Sequence, residues 1–158
     1  MQKNFIPTKF SFGGTSGIIT NLAIIIGLDT LANAKISIIG SLLVVALADN
    51  ISDTLGIHIY QESEGLSRKA VWISSFTNFL ARFLVSLGFI FIIFLLPIKI
   101  AVITSIIYGF LVLSTVSYLI SKRKKVSPWQ PVIEHIMIAL IVIFLSHYFS
   151  NFIISLFK

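Results

Sequence analysis

Long apolar stretches separated by short polar breaks dominate this chain. Five of them follow one another, at residues 11–28, 36–59, 70–96, 100–120 and 131–157. A helix needs about 20 apolar residues to cross the hydrocarbon core of a bilayer, whereas a strand of a membrane barrel needs about 9–11. The stretches do not alternate polar with apolar positions, which favours helices over strands. The pattern therefore predicts an all-α integral membrane protein, with five transmembrane helices in a single domain.

The composition agrees with a membrane protein. Of the 158 residues, 56% are hydrophobic and 11% are charged, which is outside the range of a soluble domain. Cysteine is absent, so the chain forms no disulfide and offers no thiolate to a metal. The N-terminal residues lack an apolar core with a cleavage site, so we expect no removable signal peptide and the first helix should direct insertion.

Lysines and arginines are distributed unevenly if the five helices alternate in direction. One side carries eight and the other three, namely Lys3, Lys9, Arg68, Lys69, Lys122, Arg123, Lys124 and Lys125 against Lys35, Lys99 and Lys158. Positively charged loops stay in the cytoplasm, so we expect a multi-pass protein of the cell (inner) membrane with its N-terminus inside and C-terminus outside. The net charge of +6 does not require a nucleic-acid partner, because residues 122–125 are explained as an anchor facing anionic lipid.

Two aspartates one helical turn apart, Asp49 and Asp53, interrupt the second apolar stretch. Burying a carboxylate in a bilayer costs roughly 2.5–3.5 kcal/mol on insertion scales, so such residues usually face a polar cavity or a partner. At about 1.5 Å per residue, Ser16, Asn21 and Arg82 of neighbouring helices reach similar depths. We therefore predict a cation site in which the two aspartates bind the ion or carry a proton, and Ser16 and Asn21 supply neutral oxygens.

Other polar residues lie near the cytoplasmic ends of the predicted helices. Glu62, Glu64, Glu134 and His135 are predicted to form an inner vestibule for the cation, although Glu62 and Glu64 are equally explained as solvated loop charges. Small residues at 13–17 on the first helix, and at every fourth position on the second, permit a close helix contact. They predict that the first two helices form a close-packed pair.

Residues 13–17 read Gly-Gly-Thr-Ser-Gly, and residues 51–56 read Ile-Ser-Asp-Thr-Leu-Gly, followed by Ser63 and Glu64. In spacing, this resembles the vacuolar iron transporter family. Its first helix opens with Gly-x-Ser-Asp-Gly, and its second ends in Ile-Ser-Met-Gly-Leu-Gly and, six residues on, Ser-Glu. The resemblance implies a homodimer that exports Fe²⁺, and often Mn²⁺, from the cytosol in exchange for protons. It also implies that the first two helices line the pore.

The chain departs from that family at the residues that bind metal. The family's aspartate falls at Ser16, its methionine at Asp53 and its preceding glutamate at Val45, while Asp49 lies one turn nearer to Asp53. The long glutamate-rich insertion of iron-loading members is also missing between the second and third helices. Replacing a thioether by a carboxylate favours harder ions such as Mn²⁺, Fe²⁺ or Mg²⁺. We expect no bound cofactor beyond the transported cation.

Two other functional classes stay open. In the first, Arg82 neutralises the aspartates in a structural ion pair, and the protein is a non-transporting membrane partner. In the second, the aspartates form the dyad of an intramembrane protease. That dyad brings carboxylates from separate helices within about 3 Å, whereas Asp49 and Asp53 lie side by side on one helix. The pattern therefore does not predict an enzyme.

Overall fold

The structure is a computed structural model that describes residues 5–123 and 127–157, with side chains from Gly14 to Lys122 and from Ser127 to Phe157. Within these ranges the chain is helical apart from short connections, which confirms the predicted all-α class. Six of the lysines and arginines from which the orientation was predicted have side chains outside the described ranges, namely Lys3, Lys9, Arg123, Lys124, Lys125 and Lys158.

Each predicted apolar stretch is occupied by one helix. The helices are α1 (Phe5–Leu28), α2 (Ala34–Ser63), α3 (Arg68–Leu95), α4 (Ile98–Arg123) and α5 (Trp129–Leu156). Among the described residues, the four helices α2 to α5 are long and apolar enough to cross a membrane, and α1 contributes the shorter apolar helix Gly14–Leu28. The chain thus has the helices of a multi-pass membrane protein.

Local sequence explains where the helices end. Gly65 takes the left-handed φ of 71° just after α2, where a side chain would be strained. Its N–H donates to the Glu62 carbonyl, and the next N–H donates to the Gln61 carbonyl, which together cap the helix. Helix α3 ends before Pro97, because the proline ring forces the preceding Leu96 into an extended conformation.

Contacts near the helix ends show that the bundle runs up and down. Lys35 at the start of α2 donates to the Leu96 carbonyl just after α3, and Ser150 of α5 donates to the Gly27 carbonyl of α1. The C-terminal ends of α1, α3 and α5 therefore lie together. The short connections between successive helices are typical of this antiparallel arrangement.

Helix α1 packs most extensively against α3, and its contact with α2 is small. The predicted close pair of α1 and α2 is therefore wrong. At Gly17 the α1 backbone comes close to α3, since a Cβ built on this glycine would lie 3.6 Å from the Arg82 Cα atom. The small residues of α2 do not pack within the bundle, because Ala48, Ser52 and Gly56 are exposed.

The interior of the bundle has an apolar half and a polar half. The apolar half lies near the connection between α1 and α2, and includes Ile25, Ile38, Leu42, Phe89 and Ile93. The polar half begins where α2 contains one turn of π-helix, Val45–Asp49. Such turns widen the helix locally and are frequent at functional sites.

Candidate functional site

One face of α3 carries a column of polar side chains. Its buried members are Ser74, Ser75, Asn78, Arg82 and Ser86. Four of them recur at every fourth position and so line one face of the helix, where they meet α1 and α2. Of these five residues, only Arg82 was expected from the sequence to belong to the site. The four-residue spacing of the other polar residues was the signal that could have found them.

Arg82 lies at the centre of this column and joins three helices. Its guanidinium donates to the Asp49 carboxylate through Nη2, and its Nη1 lies 3.1 Å from Asp53 Oδ2. The same Nη1 donates to Ser16 Oγ at 2.7 Å. The structure therefore brings together Ser16, Asp49 and Asp53, which the sequence had placed at similar depths.

The charges of this site do not cancel when all three groups are ionised. Two carboxylates surround one guanidinium, which leaves one net negative charge. Arg82 lies inside the bundle, with 4% of its side chain exposed, whereas Asp49 is 47% and Asp53 27% exposed. In a bilayer this exposure faces lipid or another protein, and lipid is a costly surrounding for a carboxylate. The site therefore needs a cation, a proton or a covering surface.

Asn78 is a further member of the site that the sequence analysis missed. It is fully buried, and its Nδ2 lies 3.4 Å from Asp53 Oδ2 and 3.3 Å from Thr54 Oγ1. Its Oδ1 is buried and has no hydrogen-bond partner among the described residues. An unpaired carbonyl oxygen thus belongs to a residue that already contacts one of the two carboxylates.

Asn21, which was predicted to be a ligand, lies one step further along the column. Its Nδ2 donates to the Gly17 carbonyl at 2.6 Å and to Ser86 Oγ at 2.9 Å. Its hydrogen bonds join it to these groups and not to the aspartates. Asn21 therefore extends the polar column toward the apolar half of the bundle and is separate from the carboxylate pair.

The other end of the column joins α2 to α3 near their connection. Gln61 Nε2 donates to Ser74 Oγ at 2.7 Å, and His58 Nδ1 lies 3.0 Å from Ser75 Oγ. The other ring nitrogen of His58 lies 3.4 Å from Glu62 Oε1. A largely apolar groove of about 470 Å³ opens beside these residues, lined by Ile51, Thr54, Leu55, His58, Trp72, Ser75, Phe76 and Phe79.

The four residues predicted to form an inner vestibule do not form one cluster. His135 of α5 pairs with Ser117 Oγ of α4 at 2.7 Å, and Glu134 is exposed and accepts a hydrogen bond from Gln130 of its own helix. Glu62 and Glu64 are exposed at the end of α2. In the described parts of the chain, no three histidine, cysteine, aspartate or glutamate side chains converge on a metal position.

The fold and the site define an all-helical protein of the membrane type, with a charged site shared by three helices. Comparison with protein families, curated proteins and solved structures finds no match to this chain. The chemistry of the site is therefore the basis on which a function can be proposed.

Proposed function

We propose that this protein is a membrane transporter of divalent metal cations of the Fe²⁺/Mn²⁺ class, which it exchanges for protons. The observation that carries the proposal is the net negative charge of Asp49 and Asp53 around the single guanidinium of Arg82. A charge at membrane depth is expensive unless a partner compensates it. The resemblance of residues 13–17 and 51–64 to the vacuolar iron transporter family supports the same class of substrate.

Competition for the carboxylates supplies the coupling. One proton on either aspartate neutralises the site of one copy while Arg82 stays in place, and one divalent cation neutralises the combined charge of the two copies in the proposed homodimer. A divalent cation uses the same carboxylate oxygens, so proton and metal exclude each other. Exchange of one for the other across the membrane then follows if the site opens to both sides in turn. If the chain spans the membrane five times with its N-terminus inside, the exposed acids Glu62 and Glu64 lie at the cytoplasmic mouth.

A second copy of the chain completes the site in this proposal. Ala48, Ser52 and Gly56 form an exposed stripe of small residues on α2, and the half-exposed Asp49 borders it. Small residues at every fourth position let two helices approach closely in a membrane. A homodimer that packs through this stripe would enclose the carboxylates of both copies.

One observation favours a second candidate function. Arg82 contacts both aspartates, so the three side chains also suit a structural clamp that fastens α3 to α2. The protein would then be a non-transporting membrane partner. Removing both carboxylates would leave the buried guanidinium unpaired, which costs about 3–5 kcal/mol, so such a clamp stabilises the fold without any transported ion.

Transport assays with purified protein in vesicles distinguish the two functions. With an imposed pH gradient, vesicles that contain the protein should accumulate Fe²⁺ or Mn²⁺ faster than empty vesicles, and Asp53→Asn should abolish the difference. Asparagine keeps nearly the volume of aspartate and leaves Asp49 to pair with Arg82, so this variant should still fold. Equal accumulation of Fe²⁺, Mn²⁺, Co²⁺ and Mg²⁺ with and without protein would favour the structural clamp.

A further inference from the structure

His58 lies near the end of α2, and both nitrogens of its ring have a polar neighbour. Its Nδ1 lies 3.0 Å from Ser75 Oγ of α3, and its Nε2 lies 3.4 Å from Glu62 Oε1 on the next turn of α2. The Trp72 ring packs edge-on against the imidazole, with ring centroids 4.9 Å apart. The imidazole is therefore fixed by two side chains of α3, and its Nε2 is directed at the Glu62 carboxylate.

The Ser75 hydroxyl determines which nitrogen of a neutral His58 carries the hydrogen. This hydroxyl donates its single hydrogen to the Val71 carbonyl at 3.0 Å, so toward His58 it can only accept. In the neutral ring the hydrogen is therefore on Nδ1 and the lone pair is on Nε2, facing Glu62. Histidines that bind metal ions are oriented in the same way, since one ring N–H donates to a fixed acceptor and the other nitrogen binds the ion.

The distance between the two side chains suits two ligands of one metal ion. Ligand atoms about 2.1 Å from a tetrahedral ion lie about 3.4 Å apart. His58 Nε2 and Glu62 Oε1 have this separation, whereas hydrogen bonds between charged groups are typically about 2.7–2.9 Å long. Because residues four apart are neighbours on one face of a helix, the backbone of α2 maintains this spacing.

We propose that His58 Nε2 and the Glu62 carboxylate bind a divalent transition-metal ion such as Zn²⁺. An imidazole nitrogen favours ions such as Zn²⁺, Fe²⁺ and Ni²⁺, whereas Mg²⁺ and Ca²⁺ prefer oxygen ligands alone. The Glu62 side chain is 58% exposed, so water has access to the remaining coordination positions of the ion. This inference goes beyond the proposed transport function, because it requires no ion at Asp49 or Asp53.

Titration of the purified protein with Zn²⁺, after removal of any affinity tag, tests the pair. The chain has three histidines and no cysteine, so each nitrogen ligand can be removed in turn. His58→Gln and Glu62→Gln should each weaken Zn²⁺ binding, measured by calorimetry, by about tenfold or more. Glu62→His places a second imidazole at the same spacing and should tighten Zn²⁺ binding. An excess of Mg²⁺ should not displace Zn²⁺ from the parental protein.

His147 on α5 provides the matched control. It also has a polar partner four residues later, but this partner is Asn151, whose Nδ2 lies 2.9 Å from His147 Nε2. An amide supplies no negative charge to a cation, so His147→Gln should keep the parental Zn²⁺ affinity. If His58→Gln also keeps it, or if the two variants lose affinity equally, then His58 and Glu62 form only an ion pair within the helix and the metal site is refuted.

Further outcomes separate this site from the proposed transport site. Zn²⁺ binding that is lost in Asp53→Asn and kept in His58→Gln would place the ion at the aspartates and overturn the inference, as would a parental protein that binds no Zn²⁺. Zn²⁺ binding that depends on His58, in a protein that transports no metal, would refute the transport function alone. Glu62 is exposed, so its variants should melt at the parental temperature, which distinguishes lost binding from lost folding.

Discussion

Arg82 donates a hydrogen bond to Asp49 across the interface of α2 and α3, and the two side chains differ sharply in exposure. The arginine side chain is 4% exposed and the aspartate side chain is 47% exposed. The cation therefore lies inside the bundle and the anion at its surface. In a membrane this arrangement leaves a carboxylate on the side where only lipid or a second protein can cover it. In the proposed homodimer, this arrangement would link the stability of the bundle to the contact between the α2 helices of two copies.

The first prediction concerns the stability that the ion pairs provide. Asp49→Asn or Asp53→Asn alone leaves Arg82 one carboxylate, so either change should be mild. The double change leaves a buried unpaired guanidinium and should lower the free energy of unfolding by about 3–5 kcal/mol. Adding Arg82→Gln should restore most of this loss. Thermal unfolding in detergent measures the series, and a double variant as stable as the parent would contradict the ion-pair geometry.

The second prediction concerns self-association through α2. Ser52 is exposed on the stripe of small residues, and the chain has no native cysteine. Ser52→Cys in membranes should form a disulfide between two copies on mild oxidation. Gly56→Leu should weaken the dimer in detergent, because a large side chain prevents close approach. Ile103→Cys, exposed on α4, is the control, and equal cross-linking of both cysteine variants would mean that copies merely collide.

The third prediction concerns the packing of α3 against α4. A Cβ on Gly88 would lie 2.9 Å from Tyr108 Cζ, and this ring packs edge-on against Phe89 with centroids 5.0 Å apart. Gly88→Ala should displace the ring and cost about 1–3 kcal/mol of stability. Gly40→Ala is the control, since its Cβ would meet nothing within 4 Å. Equal melting temperatures for the two variants would argue against this helix contact.

The fourth prediction concerns orientation in the membrane. Ser67 and Ser127 lie in the connections at one end of the bundle, Thr30 lies in a connection at the other end, and all three are exposed. The excess of basic residues predicts that cysteines at Ser67 and Ser127 react with a membrane-impermeant reagent from the cytoplasmic side. A cysteine at Thr30 should react from outside. Labelling of all three from one side would exclude the five-span topology.

The fifth prediction concerns the pH dependence of stability at the other end of the bundle. Burial raises the pKa of Asp29 above its ordinary value of 3.8, and the charge of His147 partly opposes this. Between 3.8 and the raised value the native state binds the proton more strongly than the unfolded chain, so stability falls as the pH rises through this window. Asp29→Asn should remove that slope in melting curves. His147→Gln should enlarge the slope, because it removes the positive charge that lowers the pKa of Asp29. An unchanged slope in both variants would contradict the burial of Asp29 and its electrostatic interaction with His147.

The helical architecture was predictable because a bilayer gives the backbone no water to bond with, so an apolar stretch must satisfy its own N–H and C=O groups. The predicted stretches at 36–59 and 100–120 each lie within one helix. Glu134 and His135, in contrast, do not form the predicted cluster with Glu62 and Glu64. His135 pairs with Ser117 of α4, and Glu134 is exposed.

The sequence by itself determined that Asp49, Asp53 and Arg82 lie at similar levels along their helices and that the two aspartates share one face, because the rise and periodicity of a helix are fixed. Only the tertiary structure decided that α3 packs against α1 and that the amide of Asn78 lies beside Asp53. A stripe of small residues permits a close contact, but it does not determine which helix packs against it. The partner depends on how each helix is rotated about its own axis, which is set by the simultaneous packing of all neighbouring helices.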